Sequence, residues 1–412
     1  MGSGTQAVDQ AAQRLSAVLG TSPLQRSDRL SERVGGEVWL KREDLLAVRS
    51  YKARGAYNLL AQLDGAERAS GVVCASAGNH GQGVAYACSA LDVRGRVYVP
   101  RTTPRQKRDR IAALGGPDVE VLVVGDTYDE AAAAALADSR TTGAVLVPAF
   151  DDPRTIAGQG TVTREVVEQL GRLPDLLVLP VGGGGLLAGA VSWLGGRRVD
   201  VIGVEPAGAA SMAAALAAGG PVDLEQLDGF VDGAAVRRVG NLTFPLVRDS
   251  GARMVAVAEG RVCTEMLALY QVDGIIAEPA GAMAAAALGD VVHPEPGSTT
   301  VCVLSGGNND VSRYAEVVER ALVHEGRKHY FLVDFPQEPG ALRRFLDEVL
   351  GPDDDITLFE YVKRSNRETG PALVGIELGR PEDLPGLLLR LEAAPPQVTR
   401  VPADSPLFRF LL

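Results

Sequence analysis

The chain has 412 residues, of which 46% are hydrophobic and 23% are charged, a composition typical of soluble globular proteins with two or three domains. Its net charge of −11 argues against nucleic acid or an anionic membrane as the main partner, because no basic run offsets the repulsion. A small-molecule ligand fits this composition better.

Hydrophobic periodicity predicts alternating helices and strands through most of the chain. The predicted strands cover residues 38–41, 71–74, 96–100, 119–124, 144–147, 175–180, 199–204, 254–257 and 300–304, and the predicted helices cover 6–19, 53–63, 80–90, 106–114, 128–137 and 156–170. This alternation indicates an α/β fold of parallel sheets with helical crossovers. We expect one catalytic domain over 1–325, with a smaller lobe at about 53–155 inserted in a larger lobe.

The pattern changes in residues 326–412. Strands are predicted at 328–335, 356–363, 372–378 and 398–401, with helices at 340–350 and 384–391. The order βαββαβ is the ferredoxin-like plan. We therefore expect a second, smaller domain, which has no obvious catalytic cluster.

The cysteines and the N-terminus indicate the compartment. Cys74, Cys88, Cys263 and Cys302 show no metal-type pairing and lie in apolar or alanine-rich contexts that suit buried thiols. The N-terminus is polar and has no signal peptide, and no apolar run is long enough to cross a bilayer. We therefore expect a cytoplasmic protein.

Lys52 lies in the stretch 40–55, at or just before a predicted helix start. The chain has only five lysines against thirty-six arginines, and a lysine amine, unlike a guanidinium, can condense with an aldehyde to a Schiff base. A helix N-terminus also disfavours an ammonium. On the count alone, a coding bias toward arginine is the favoured explanation, so other residues must decide.

Four further stretches lie where a strand is followed by a helix, the edge at which α/β sheets bind ligands: 76–83, 182–185, 277–282 and 304–308. The stretch 76–83 could bind a carboxylate or a phosphate, although a tight turn with an asparagine N-cap would have the same sequence. The four glycines at 182–185 favour phosphate binding over a flexible turn, without the dinucleotide or Walker spacing. Ser305 follows a buried strand and could project into the cleft or cap a turn.

An imine-forming amine, a glycine loop, an anion site and a neutral hydroxyl together point to pyridoxal 5′-phosphate. The segments KREDL, SYKARGAY, SAGNHGQGVA, GGGGLLAG, EPAGA and SGGNND resemble those of the threonine dehydratases (threonine ammonia-lyases), in the fold-type-II, tryptophan synthase β-like family of pyridoxal-phosphate enzymes. The segments DFPQEPGALRRFLDEVLGPDDDITLFEY and GPALVGIEL resemble the ACT-like regulatory domain of the biosynthetic branch. The resemblance covers nearly the whole chain and includes one regulatory domain.

The resemblance implies a role for each motif residue. Lys52 holds the cofactor as a Schiff base and removes the Cα proton, and catalytic Ser76, with Ala77, Gly78, Asn79 and His80, holds the substrate carboxylate. Around the cofactor ring, Tyr51 lies against the ring face, Asn79 binds the ring hydroxyl and Ser305 faces the pyridine nitrogen. The phosphate is bound by Gly182, Gly183, Gly184 and Gly185, and Glu278 also contacts the cofactor. A neutral Ser305 would favour quick loss of the β-hydroxyl.

The implied reaction is deamination of L-threonine to 2-oxobutanoate and ammonia by β-elimination of water, the first committed step of isoleucine biosynthesis. The resemblance also implies feedback inhibition by isoleucine and a homo-oligomer, a tetramer in the family. The loop at 337–340 matches the place where such domains hold amino-acid effectors, although a plain turn with a helix N-cap would have the same sequence. In some relatives the spacing of Glu205, Ala209 and Ser211 supports a cation, here a monovalent one, but a loop carboxylate with a serine cap fits equally.

Three alternatives remain open. A serine-preferring dehydratase and a serine racemase would use the same cofactor, although the regulatory domain weighs against both. In a non-catalytic sensor, the C-terminal domain would bind an amino acid and the first domain would serve as a platform for a partner. The complete set of expected catalytic side chains argues against the sensor.

Overall fold

The structure is a computed structural model that describes residues 4–361, 368–394, 397–402, 405, 407–408 and 411. Its contacts divide the chain into two compact units, Met1–Asp310 and Val311–Leu412. The sequence places the domain boundary after residue 325 instead, and that boundary stays a prediction.

Two sheets form the first unit. Its strands are β1 (Leu24–Arg26), β2 (Glu37–Arg42), β3 (Val72–Ala75), β4 (Gly95–Val99), β5 (Val119–Val123), β6 (Val145–Leu146), β7 (Leu176–Pro180), β8 (Asp200–Pro206), β9 (Arg253–Val257) and β10 (Thr299–Leu304). The larger sheet has the order β1-β2-β10-β7-β8-β9 and the smaller one β5-β4-β3-β6. All neighbouring pairs are parallel except β1 with β2, so the predicted parallel sheets are confirmed.

Helices connect these strands and cover the sheets. They are α1 (Gly4–Leu15), α2 (Asp28–Val34), α3 (Lys52–Leu60), α4 (Gly65–Ser70), α5 (Asn79–Leu91), α6 (Arg105–Gly115), α7 (Tyr128–Thr142), α8 (Pro153–Leu170), α9 (Gly185–Leu194), α10 (Ser211–Ala218), α11 (Thr243–Arg248), α12 (Glu259–Gln271) and α13 (Pro279–Ala287). Helix α8 begins three residues before its predicted start because Asp152 caps it and Pro153 occupies its first turn.

The core of the larger lobe explains the apolar runs in the sequence. Strands β7 and β10 are buried along their whole length, as expected for parallel strands covered on both faces. Helices α3 and α8 pack in backbone contact, since a Cβ on Gly158 would lie only 2.7 Å from the Cα of Gly55. This close approach fixes the helix that begins with Lys52.

The second unit has the predicted ferredoxin-like order. Its elements are α14 (Tyr314–His324), β11 (Lys328–Pro336), α15 (Ala341–Val349), β12 (Asp355–Tyr361), β13 (Thr369–Glu377), α16 (Leu384–Ala393) and β14 (Gln397–Val401). The antiparallel sheet runs β12-β13-β11-β14, and its core includes Phe331, Phe335 and Phe345. Residues 362–363, the end of the strand predicted at 356–363, lie outside the described residues. In the part of the chain that is described, no helix has the length and apolarity to cross a membrane.

Candidate active site

A cleft of about 1000 Å³ in the first unit collects most of the predicted site residues. Those that line it are Tyr51, Lys52, Ser76, Ala77, Gly78, Asn79, His80, Gly182, Gly183, Gly184, Gly185 and Glu278. They come from the N-termini of α3, α5, α9 and α13, where backbone N–H groups lack helical partners. Ser305 does not line the cleft, and neither do the predicted cation residues Glu205, Ala209 and Ser211.

Lys52 is the first residue of α3 and is half-buried. Its Nζ donates to the carbonyl oxygen of Ala149 at 3.3 Å and lies 5.2 Å from the ring centroid of Tyr51. The N–H of Tyr51 donates to the carbonyl oxygen of Ser305 at 3.2 Å, which ties the start of α3 to the end of β10. The amine therefore has a neutral acceptor and an aromatic face beside it in the cleft.

The glycine loop has no room for side chains. A Cβ on Gly183 would lie 2.3 Å from the ring of Phe150, and Gly184 has a φ of +91°, in the left-handed region. Among the described residues, none accepts a hydrogen bond from the N–H groups of Gly182, Gly183 or Gly184. Because α9 begins at Gly185, these donors and the helix N-terminus could hold an anion such as a phosphate.

A second set of backbone donors lies at the start of α5. The N–H of Gly78 donates to Oγ of Ser76 at 3.2 Å, and a Cβ on Gly81 would lie 2.3 Å from the carbonyl oxygen of Ser76. His80 is buried with Nε2 2.8 Å from the carbonyl oxygen of Val147. Burial, helped by the charge of Lys52, lowers the pKa of His80 to about 4. Because the one N–H of the neutral imidazole is used on Val147, this cradle offers backbone N–H groups, and not the His80 side chain, to a carboxylate.

Asn79 is held on both sides of its amide. Its Nδ2 donates to Oε1 of Glu278 at 2.6 Å, and its Oδ1 accepts from Nδ2 of Asn308 at 2.8 Å. Glu278 is buried, and burial, followed by the charge of Asp232, raises its pKa to about 7. A carboxyl with a raised pKa inside a cleft is a candidate for a functional role.

Ser305 lies below the cleft at the end of β10. Its side chain is buried, and Oγ donates to the carbonyl oxygen of Ala280 at 3.3 Å. The predicted position of this hydroxyl against a ring nitrogen stays a prediction.

The predicted cation residues lie together, but their carboxylate caps a helix. Both oxygens of Glu205 accept backbone hydrogen bonds at the start of α10, from Met212 at 2.6 Å and from Ala213 at 2.9 Å. Burial raises the pKa of Glu205 to about 7. In the described part of the chain, no group of three or more His, Cys, Asp or Glu side chains could hold a metal ion. The cation stays a prediction.

Sequence reasoning missed several residues that line the cleft. Phe150 packs against the glycine loop, and Lys107 forms an ion pair of 3.0 Å with Asp232, which also lines the cleft. Asn308 ends the segment at 304–308, but the sequence pattern predicts no role for it. The scarcity of lysine could have marked Lys107, whereas nothing local marks Phe150 or Asp232.

The site residues fit pyridoxal 5′-phosphate. The amine of Lys52 matches an aldehyde, the amide of Asn79 matches a ring hydroxyl, and the loop at 182–185 matches a phosphate. The loop gives the strongest indication, because its close contacts exclude side chains and leave its N–H groups without protein acceptors among the described residues.

Comparisons with known proteins agree with this chemistry. Residues 15–306 match the family described as "Pyridoxal-phosphate dependent enzyme", and residues 319–411 match the "C-terminal regulatory domain of Threonine dehydratase". The chain is 63% identical over 409 residues to the L-threonine dehydratase biosynthetic IlvA of Mycobacterium tuberculosis, covering 98% of this chain and 95% of that relative.

Two solved structures are also similar. The processed form of threonine deaminase isoform 2 from Solanum lycopersicum has a TM-score of 0.73 and 38% sequence identity, covering 77% of this chain and 88% of its own. Maize serine racemase has a TM-score of 0.71 and 27% sequence identity, and the match covers 79% of this chain and 99% of the racemase chain.

Proposed function

Because this chain belongs to the family of pyridoxal-phosphate dependent enzymes, and within it to the threonine dehydratases, we propose that it deaminates L-threonine to 2-oxobutanoate and ammonia. The main observation in support is the position of Lys52, whose amine lies in the same cleft as the glycine loop at 182–185. An imine-forming amine beside a phosphate site is what the cofactor requires. The reaction is a β-elimination of water, and the proposed pathway is isoleucine biosynthesis.

Bound pyridoxal phosphate supplies an electron sink for the pair released when the Cα–H bond breaks. The residues of this chain position the substrate and move the proton. The backbone donors at 76–80 hold the carboxylate, and Lys52 Nζ removes the Cα proton. His80 is neutral above its pKa of about 4, and its one ring N–H donates to the carbonyl oxygen of Val147, so its side chain holds the start of α5 in place and does not act as a cationic acid near neutral pH. The proposed neighbour of the ring nitrogen is the Ser305 hydroxyl, which is neutral and donates to the carbonyl oxygen of Ala280.

Replacing Lys52 by alanine tests the proposal. We expect the variant to lose the visible absorption band of bound cofactor and threonine turnover. Lys107→Ala removes a second lysine from the same cleft and should keep the band. Borohydride reduction of the parent followed by peptide mass spectrometry should place the cofactor on Lys52. A purified parent protein that binds no cofactor would overturn the proposal.

Serine chemistry is the second candidate, favoured by the similarity to maize serine racemase. The match to the regulatory domain of threonine dehydratase favours threonine instead. The specificity constants kcat/KM for L-threonine and L-serine, together with an assay for D-serine, separate the two. A larger value for serine, or D-serine formation, would replace threonine as the proposed substrate.

We further propose that isoleucine inhibits the enzyme through residues 326–412, with 1–325 as the catalytic domain. Two features constrain the loop at 337–340. Gln337 Nε2 donates to the carbonyl oxygen of Thr369 at 3.0 Å, and Gly340 has a φ of +87°, in the left-handed region. Threonine kinetics at increasing isoleucine concentration, with and without residues 326–412, test this role. Unchanged curves in the full-length protein would remove it, and isoleucine binding without any turnover would instead favour an amino-acid sensor.

We also propose a cytoplasmic homotetramer. All four cysteines are free and buried, which suits a reducing compartment. Tyr270, Val272 and Ile276 expose 50%, 68% and 44% of their surface around the end of α12, an apolar area available to another subunit. Light scattering on the purified protein measures the oligomeric state.

Thermal unfolding in potassium and in tetramethylammonium salts tests whether the protein binds a monovalent cation.

A further inference from the structure

Three stretches that are far apart in the sequence meet at the side chain of Asn79. Asn79 begins α5, Glu278 precedes α13, and Asn308 follows β10. Their polar atoms form a chain of hydrogen bonds, from the carbonyl oxygen of Val48 through Asn308 and Asn79 to Glu278, with distances of 2.8, 2.8 and 2.6 Å. The amide of Asn79 is therefore anchored from two directions.

The hydrogen-bond chemistry fixes which way each amide faces. The carbonyl oxygen of Val48 can only accept, so the group of Asn308 that faces it is the NH₂ group. The same NH₂ group reaches Asn79, which must present its oxygen there. The nitrogen of Asn79 then faces Glu278, and only one of its two hydrogens is used. One N–H of Asn79 remains for a ligand in the cleft.

The ends of this chain have little freedom to move. A Cβ on Gly306 would lie 2.3 Å from Oε1 of Glu278, so the carboxyl packs directly on the backbone of the segment that carries Asn308. The N–H of Glu278 also donates to the carbonyl oxygen of Gly306 at 3.1 Å. Glu278 is only 6% exposed. The arrangement is preorganised by close packing rather than by one flexible contact.

We propose that Asn308 is a positioning residue, which holds the oxygen of Asn79 and so keeps an N–H of Asn79 available to the ring hydroxyl oxygen of the cofactor. This inference rests on the proposed function, and it gives Asn308 a role in cofactor binding without contact with the reacting atoms. Without Asn308, the Asn79 amide could rotate and turn its oxygen, which cannot donate, toward the ring oxygen of the cofactor. When that ring oxygen is ionised, the two acceptors repel each other.

The test is Asn308→Asp in the full-length protein, with Asn309→Asp as the matched control. An ionised aspartate has the shape of asparagine but cannot donate to Asn79. Asn309 also lines the cleft, and its Nδ2 bonds the carbonyl oxygen of Ala277 rather than Asn79, so its variant adds the same charge outside the chain of hydrogen bonds. We expect the cofactor Kd to rise about tenfold in Asn308→Asp and by less than about threefold in Asn309→Asp. The pH midpoint of the visible absorption band should shift only in Asn308→Asp.

A double-mutant cycle separates positioning from a general effect on structure. If Asn308 acts through Asn79, then Asn308→Asp should change the Kd little in an Asn79→Ala background. An equal loss in both backgrounds, or an unchanged Kd and spectrum in the single variant, would overturn the inference. Both results are read against a parent that binds cofactor and deaminates threonine, so they leave the proposed function intact. A parent that binds no cofactor contradicts the proposed function itself.

Discussion

Arg54 places its guanidinium in a fully buried position with Nε 2.7 Å from Oε2 of Glu43. Glu165 on α8 accepts a second bond from Arg54 at 2.6 Å and one from Lys41 at 2.6 Å. Two cations and two carboxylates thus form a compact group without net charge. Because Arg54 lies two residues after Lys52, this group fixes the orientation of the helix that carries the reactive amine.

Replacing Arg54 by alanine should destabilise the first unit by about 3–5 kcal/mol, because two buried carboxylates lose their main partner. Arg105→Ala is the control, since its ion pair with Asp109 is exposed and contributes at most about 1 kcal/mol. Denaturant unfolding followed by intrinsic fluorescence measures both changes. Equal losses in the two variants would contradict the assigned importance of the buried group.

The sequence could predict the frame of this site but not its contacts. The segments around Lys41 and Lys52 were recognisable, whereas Glu165 lies 111 residues from Arg54 and no local pattern pairs them. Strand β1 escaped prediction because its three residues, Leu24–Arg26, are too few to show alternation. The buried strands β7 and β10 were found because long apolar runs identify them. Long-range polar pairing depends on packing, which periodicity does not contain.

Gly183→Ala should weaken cofactor binding at least about tenfold. The new methyl group would lie 2.3 Å from the Phe150 ring, so the loop or the ring must shift and the N–H groups lose their alignment. Gly65→Ala is the control, because no atom lies within 4 Å of the added methyl group. Fluorescence titration with pyridoxal phosphate gives both Kd values. An unchanged Kd for Gly183→Ala would show that the loop does not bind the phosphate.

Asp232→Asn should raise the KM for threonine by up to about fivefold at low salt, because it breaks the Lys107–Asp232 pair in the cleft lining. Both side chains are partly exposed, so salt should screen the pair and the difference should shrink above about 0.5 M NaCl. Asp109→Asn removes an exposed pair with Arg105 on the same helix, α6, and should leave KM unchanged. A rise in KM that is just as large in high salt would mean that Asp232 acts by direct contact rather than by its charge.

Glu278 should make the folded protein less stable as the pH rises. Its pKa is about 7 in the folded state against an ordinary value of 4.5, so between these pH values the folded state binds more protons than the unfolded chain. The contribution of the protonated Glu278 to the free energy of unfolding is fully present below pH 4.5 and is lost as the pH rises through 7. The difference between the two pKa values corresponds to about 3 kcal/mol.

The variant that isolates this effect is Glu278→Gln, whose amide oxygen can still accept from Asn79 but whose side chain does not titrate. Relative to the parent, it should gain up to about 3 kcal/mol between pH 5 and pH 8. Glu120→Gln, at an exposed glutamate of β5, should show no such gain. Denaturant unfolding at the two pH values measures the difference, in which titrations common to parent and variant cancel. A Glu278→Gln curve parallel to that of the parent would place the folded pKa of Glu278 near its ordinary value, and the carboxyl would then be ionised throughout the working range.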